Sequence, residues 1–381
     1  MLELILAGVL FVLFPIHFGF LFFLSFRKKL QSSKTFLPSV SILIPALNEE
    51  KVIGNTLEAL LKCDYPRNKM EIIVIASGST DRTVEICKNY SSKGPIKVLT
   101  KPLKKRGKPA ALNLGLASAK NDVIVIYDAD SIVQPPSLRA LVEPLGRPGV
   151  AAAVGPVGMI NDDVNVLTRS TSLEFAWLFE SSELRQRLGL LMPFSGSNRC
   201  VKKDVLKRLG GFDEDSLVEE LDLEVRLSER GSPTVFSPDA MVYEEAITSW
   251  KVHSGQRERW ITGTRMGIRK FMPKTKTRIK LGFLFSIFHA MLPIWLISSL
   301  VSFPIFLAIQ AHLFAACSAL TFCFTWGLLI KSVRKYGKKR YRYLLYLPVW
   351  AAIALHTTLT KPFKRATSWK KTQKEGWKSA S

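Results

Sequence analysis

The sequence is short of the groups that build redox or zinc centres. Its five cysteines (Cys63, Cys87, Cys200, Cys317 and Cys323) form no Cys-x-x-Cys pair, and its five histidines are scattered. That excludes a zinc cluster and a disulfide framework and reads the thiols as reduced and structural. A phosphate-cradling glycine loop is also missing. Ahead of Gly107-Lys108, residue 102 is Pro102 where such a loop needs Gly, and Pro109 stands where it needs Ser or Thr. The first apolar stretch has no basic residue before it and no small-residue cleavage site after it, which argues against a cleaved signal peptide. Acid is scarce too: 31 Asp and Glu face 54 Lys and Arg, a formal charge of +23.

Such a surplus of cations suits nucleic acid, an anionic membrane face or phosphorylated substrates. Hydrophobic residues make up 47% of the 381, however, and the basic residues flank apolar spans rather than forming a basic domain of their own. That disfavours a nucleic-acid binder and fits a membrane protein whose basic loops stay in the cytoplasm.

The chain divides accordingly. Residues 1–29 read as an N-terminal transmembrane anchor: Glu3 to Phe26 is nearly all apolar, and Arg27, Lys28 and Lys29 hold its C-terminal end in the cytoplasm. Residues 30–250 form a cytoplasmic α/β domain. Residues 251–280 interleave Arg257, Arg259, Arg265, Arg269 and Lys270 with Trp260, Ile261, Met266, Ile268 and Phe271, the pattern of an amphipathic segment on a membrane surface. Residues 281–362 hold further transmembrane or interfacial helices. Leu281 to Ile330 is long enough for two crossings joined near Ser302-Phe303-Pro304. Lys331 to Arg342 is a basic, hence cytoplasmic, loop. Tyr343 to Leu359 either lies in the interface, bent at Pro348, or crosses and leaves the basic tail 363–381 outside; the positive-inside rule favours the interface. The location implied is the cell membrane, multi-pass.

Within the soluble part, strands at Val40–Ile44, Glu71–Ile75 and Ile96–Leu99 alternate with helices through Leu57, from near Asp81, and through Ala110, which implies a mostly parallel, doubly wound sheet. The run Val123-Ile124-Val125-Ile126-Tyr127-Asp128-Ala129-Asp130 then ends a buried strand in two carboxylates one residue apart. Strand alternation points both the same way. Two such anions repel unless a cation joins them, and hard Mg²⁺ or Mn²⁺ bridges carboxylate to phosphate oxygens. Ligands of open α/β sheets bind at this carboxyl edge.

Further candidates sit at loops. Pro45-Ala46-Leu47-Asn48-Glu49-Glu50 follows the first strand, and Ala76-Ser77-Gly78-Ser79 the second. Gly107-Lys108 opens a helix N-terminus suited to an anion. Phe194-Ser195-Gly196-Ser197-Asn198 is a small-residue loop that lets a ligand near the backbone. Val218-Glu219-Glu220-Leu221-Asp222 is acidic and opens a helix, and Gln256-Arg257-Glu258-Arg259-Trp260 lies in the amphipathic segment.

In this order, these pieces resemble the inverting family 2 glycosyltransferases over roughly Ser39 to Trp260, in particular the membrane-embedded branch of cellulose, hyaluronan and poly-N-acetylglucosamine synthases and ceramide glucosyltransferase. Trp369-Lys370-Lys371-Thr372 also looks like the tail of those members. The resemblance implies a GT-A fold, a Rossmann-like nucleotide-sugar-binding domain, and a hexosyltransferase that uses a nucleotide-sugar donor, UDP-sugars favoured. It implies that Asp128 and Asp130 hold Mg²⁺ or Mn²⁺ on the donor diphosphate, and that Ala46, Glu49, Ser77 and Lys108 line the donor site. Gln256, Arg259, Trp260, Gly196 and Ser197 would meet the diphosphate and acceptor. Glu220, with Glu219 beside it, would be the general base.

Two departures stand out. Relatives usually carry Asp where this chain has Ala76-Ser77, and Glu-Asp where it has Glu219-Glu220. The acceptor is a lipid, a lipid-linked sugar or a growing glycan, so a processive polysaccharide synthase is an alternative. A non-catalytic membrane scaffold that keeps the GT-A shape is an alternative of another class.

Overall fold

The structure, a computed structural model, describes residues 2–26, 36–103, 105, 107–192, 196–232, 234–360 and 374–376, with the side chains of 2–12 and 357–360 excepted. The basic trio Arg27–Lys29, the loop residues Phe194 and Ser195, and Trp369–Thr372 lie outside the described residues.

Helix α1 (Leu2–Ser25) precedes strand β1 (Val40–Pro45), helix α2 (Ile53–Leu61), β2 (Met70–Ile75), α3 (Thr83–Ser91), β3 (Ile96–Leu99), α4 (Lys108–Ser118) and β4 (Val123–Ile126). The strands that feed the site are almost wholly buried: every residue of β4 is, and Val40 to Ile44 of β1. Runs of Val and Ile without polar alternation are what a parallel sheet covered on both faces requires. Next come β5 (Ile132–Val133), α5 (Ser137–Val142), β6 (Ala152–Val154), β7 (Val157–Met159), α6 (Val166–Leu188), β8 (Arg199–Lys202) and α7 (Lys203–Arg208). The domain finishes with α8 (Glu219–Glu229), β9 (Thr234–Phe236) and β10 (Val242–Glu244).

The main sheet runs β3-β2-β1-β4-β8-β6-β9. β3, β2, β1 and β4 are parallel, with Val40 beside Val123 and Leu43 beside Ile126, whereas β8 is antiparallel to both its neighbours. The carboxyl ends of β1, β2 and β4 therefore open on one edge. A second sheet of order β5-β10-β7 lies beyond it and brings the end of β10 toward the residues that follow β4.

The C-terminal third is helical: α9 (Trp250–Phe271), α10 (Thr277–Ala290), α11 (Leu292–Ala308), α12 (His312–Tyr336) and α13 (Leu347–Thr360). α12 has the length and hydropathy to cross a membrane, and α10 with α11 passes the same test only as a pair bent by 55°. The break in the apolar stretch is not at Pro304, which lies inside α11; it falls at Met291 and again at Ile309–Ala311. Pro348 likewise does not bend a helix. It is the second residue of α13, where a proline's missing N–H is harmless. At 14 residues, α13 spans about 21 Å, short of a bilayer core.

Apolar side chains of these helices lie open: Leu13, Ile16, Phe20 and Phe23 on α1, Leu284 and Ile287 on α10, Ile305 and Leu307 on α11, Leu313 and Leu320 on α12. Their inner faces meet α6 in one cluster around Phe18, Trp177, Leu184, Phe285 and Leu328. Lys331 and Lys335 of α12 are neutralised there by Glu180 and Glu183 of α6, the first pair at 2.7 Å. Buried carboxylates of the α/β domain thus hold the helical part by charge as well as by packing.

Candidate active site

β4 is pinned between β1 and β8, so the residues after Ile126 emerge at the carboxyl edge with little freedom. Tyr127 is fully buried, and the carbonyl of Ala129 accepts from Thr56 Oγ1 at 2.7 Å. Asp128 and Asp130 flank that anchor, and Glu244 at the end of β10 joins them. One carboxylate oxygen from each falls within 4.8 Å of the others. The backbone N–H of Asp128 donates to Ser131 Oγ and Ser197 Oγ, both at 3.1 Å, and Ser131 Oγ donates to Glu244 Oε1 at 2.7 Å. Asp130 Oδ2 accepts from the Glu245 N–H at 3.1 Å. Burial, then the charges of Asp130 and Asp128, push the Glu244 carboxyl up to about 7. Three carboxylates held this close need positive charge between them, and an all-oxygen donor set fits a hard divalent ion such as Mg²⁺ or Mn²⁺.

Lys108 supplies positive charge on one side. It opens α4 after Gly107, whose φ of 141° is glycine territory. Its Nζ lies 2.5 Å from Asp128 Oδ1, donates to the Gly196 carbonyl at 2.8 Å and stands 3.7 Å from Glu219 Oε1. Burial would lower its pKa, but Asp128, Glu219 and Glu220 outweigh that and hold the ammonium charged. Gly196 lies close to both: a Cβ there would sit 3.1 Å from Lys108 Nζ and 3.6 Å from Glu220 Oε1. Glu219 and Glu220 form the first turn of α8, where the helix dipole favours anions. Burial, and next the Glu219 charge, lift the Glu220 carboxyl to about 8 against the pull of Lys108.

The loops after β1 and β2 share this edge. Ala46 is buried, with its carbonyl accepting from Ser79 Oγ at 3.2 Å, and Glu49 N–H donates to Thr83 Oγ1 at 2.7 Å. Ser77 is buried beside them and its Oγ has no hydrogen-bond partner among the described residues. A hydroxyl left so is available to a ligand.

The amphipathic segment is helix α9. It packs on α8 through Gly263 and Gly267, where a Cβ would overlap Val218 and Leu221. Arg259 lies one turn before Gly263 on the same face of α9. Among the described residues no hydrogen bond or ion pair joins Gln256, Arg259 or Trp260 to the acidic cluster, so the structure does not link these expected residues to it. Trp260 is half-buried under Arg257, whose guanidinium sits 4.5 Å from the ring centroid. Arg257 is itself clamped by both oxygens of Glu174, at 2.5 and 2.7 Å, and its Nε donates to His253 Nε2 at 3.1 Å.

Two residues escaped sequence reasoning. Glu244 is the first of a Glu-Glu pair after an apolar strand, a pattern like that of Asp128, and this was the signal available. Lys374 sits in the basic tail, where one more cation carries no signal. Yet its Nζ lies 2.6 Å from Asp130 Oδ2 and donates to the Glu245 carbonyl at 2.8 Å.

Residues 38–263 match the family described as glycosyltransferase like family 2. Over 298 residues the chain is 33% identical to a probable glycosyltransferase, YdaM, of Bacillus subtilis, covering 76% of this chain and 70% of that protein. It is 30% identical over 228 residues to a beta-monoglucosyldiacylglycerol synthase of Synechocystis, covering 59% of this chain and 48% of that one, about half its length. Among solved structures, a mannosyltransferase from Pyrobaculum calidifontis, in complex with GDP-Man and Mn²⁺, superposes with a TM-score of 0.60 at 20% identity, over 94% of this chain and 98% of that one.

Proposed function

We propose that this chain, which belongs to glycosyltransferase family 2 and is a glycosyltransferase of α/β GT-A fold, carries a hexose from a nucleotide sugar to a lipid or lipid-linked acceptor with inversion at the anomeric carbon. The observation that carries the reading is the convergence of Asp128, Asp130 and Glu244 at the end of β4, bridged by Lys108 to Glu219 and close to Glu220. Relatives include a synthase named for a glucosyl lipid, which supports a lipid acceptor, and a poly-beta-1,6-N-acetyl-D-glucosamine synthase, which supports the processive alternative.

In this reading Asp128 and Asp130, with Glu244, hold Mg²⁺ or Mn²⁺. Bound there, the ion supplies Lewis-acid neutralisation of the charge that develops on the departing nucleoside diphosphate. Ala46, Glu49 and the unpaired Ser77 hydroxyl take the nucleoside. Lys108 offsets part of the carboxylate charge and orients the Gly196 backbone. Gln256 and Arg259 meet the diphosphate, where a guanidinium suits paired phosphate oxygens. Trp260 offers its free face to the acceptor, and Gly196 and Ser197 leave room for it. Glu220 takes the acceptor hydroxyl's proton as that oxygen bonds to the anomeric carbon and the diphosphate leaves with the electron pair of the broken bond.

We place the reaction at the cytoplasmic face of a membrane. The length of α12, the bent α10–α11 pair, the open apolar faces of α1 and α10–α12, and the basic segments beside them support this. The test is a donor screen on the purified chain in lipid, with nucleotide release and sugar transfer as readouts. One or a few nucleotide sugars should turn over with Mg²⁺ or Mn²⁺ and stop in EDTA. Turnover of none, with no uptake of nucleotide, would leave the scaffold reading.

A further inference from the structure

The carboxylates at the end of β4 already carry a cation of the chain's own. Lys374 Nζ is 2.6 Å from Asp130 Oδ2 and close enough to Glu244 and Asp128 to feel both charges, with most of its side chain buried. The contact is built at several points. Lys374 donates to the Glu245 carbonyl at 2.8 Å, and the Glu375 N–H donates to Glu245 Oε2 at 2.7 Å. Thr248 Oγ1 donates to Glu375 Oε1 at 2.7 Å. Gly376 follows with φ of +87°, so close that a Cβ would meet the Lys51 carbonyl at 2.8 Å. These three residues thus run from the carboxylate cluster to the loop after β1 that we assign to the nucleoside.

A buried ammonium is costly unless anions face it, and a group of three carboxylates is costly unless a cation does. Each here answers the other. A divalent ion on Asp130 would share the carboxylate that Lys374 holds and bring twice the positive charge to the same cluster, so it and the Lys374 ammonium repel.

We propose that Lys374 is a resident cation of the donor site that exchanges with the metal: residues 374–376 close the site when no metal is bound, and the metal-bearing donor enters only as Lys374 leaves Asp130. This rests on the proposed function for the identity of the donor, but the exchange itself involves only the chain and a divalent ion.

The test uses the full chain and Mn²⁺ alone. Free Mn²⁺ is counted by electron paramagnetic resonance for the wild type, Lys374→Met and Lys374→Arg. Lys374→Met should bind Mn²⁺ about tenfold tighter or more than wild type, while Lys374→Arg, which keeps the cation, should stay close to wild type. On the unmutated chain, acetylation of lysines read by mass spectrometry should find Lys374 protected without metal and reactive at saturating Mn²⁺. Equal Mn²⁺ affinity in wild type and Lys374→Met, or unchanged protection of Lys374 under Mn²⁺, overturns the exchange. If Mn²⁺ frees Lys374 but no nucleotide sugar turns over, the exchange stands and the glycosyltransferase reading fails. The reverse pattern leaves the enzyme and removes the exchange.

Discussion

Lys108 and Asp128 lie 2.5 Å apart, and that contact ties the start of α4 to the end of β4. The lysine faces Glu219 and Glu220 as well, so one ammonium serves the carboxylates on both sides of the cleft. Removing it leaves partly buried anions uncompensated. Lys108→Met should lower stability by about 2 kcal/mol, less than for a fully buried pair because a third of the Asp128 side chain is open. Turnover should fall by about 10²-fold or more. Thermal melts and steady-state rates check both; a fully active variant would remove Lys108 from the site.

Glu220 predicts a pH profile. Burial and the neighbouring Glu219 raise its carboxyl to about 8, and a general base works only when deprotonated. The sign follows: turnover should rise with pH through neutrality and level off above that value. The donor's diphosphate is anionic and offsets the divalent ion, so saturating both should leave the midpoint near that value. Glu220→Gln should keep donor binding, lose about 10²–10⁴-fold in rate and lose the slope. A profile flat from pH 6 to 9 in the wild type would place the base elsewhere.

The Arg257 guanidinium covers one face of Trp260 while Glu174 grips it with two hydrogen bonds. In the proposed function the other face of the indole meets the acceptor sugar. Arg257→Met and Glu174→Gln should each raise acceptor KM by about fivefold to tenfold, in keeping with a cation–π contact of about 1 kcal/mol. Donor hydrolysis without acceptor should hardly change. Trp260→Ala serves as the control: an effect there without one in Arg257→Met would show that the clamp does not orient the ring.

The strands of the site were legible because contiguous Val and Ile runs such as Val123–Ile126 have few other uses, and two carboxylates at such an end are a local pattern. Glu244 belongs to the same cluster only because β10 pairs with β5 and β7, a long-range event that a scan for local motifs does not see. Lys374 is further still from Asp130 along the chain, and its charge looked like every other in a basic tail. Pro304 and Pro348 misled for a related reason. A proline can end a helix, start one or sit within it, and packing decides which. Gln256 and Arg259 were read from motif order, and among the described residues no hydrogen bond or ion pair joins them to the cluster.

In the proposed function the end of β4 binds a nucleotide through a divalent ion. Calorimetry of the full chain with UDP, and in parallel GDP, in the presence and absence of Mn²⁺ tests it most directly. Uptake of a nucleotide is expected only with Mn²⁺, with loss of that uptake by about tenfold or more in Asp130→Asn. Binding that is indifferent to Mn²⁺ and to Asp130 would contradict it.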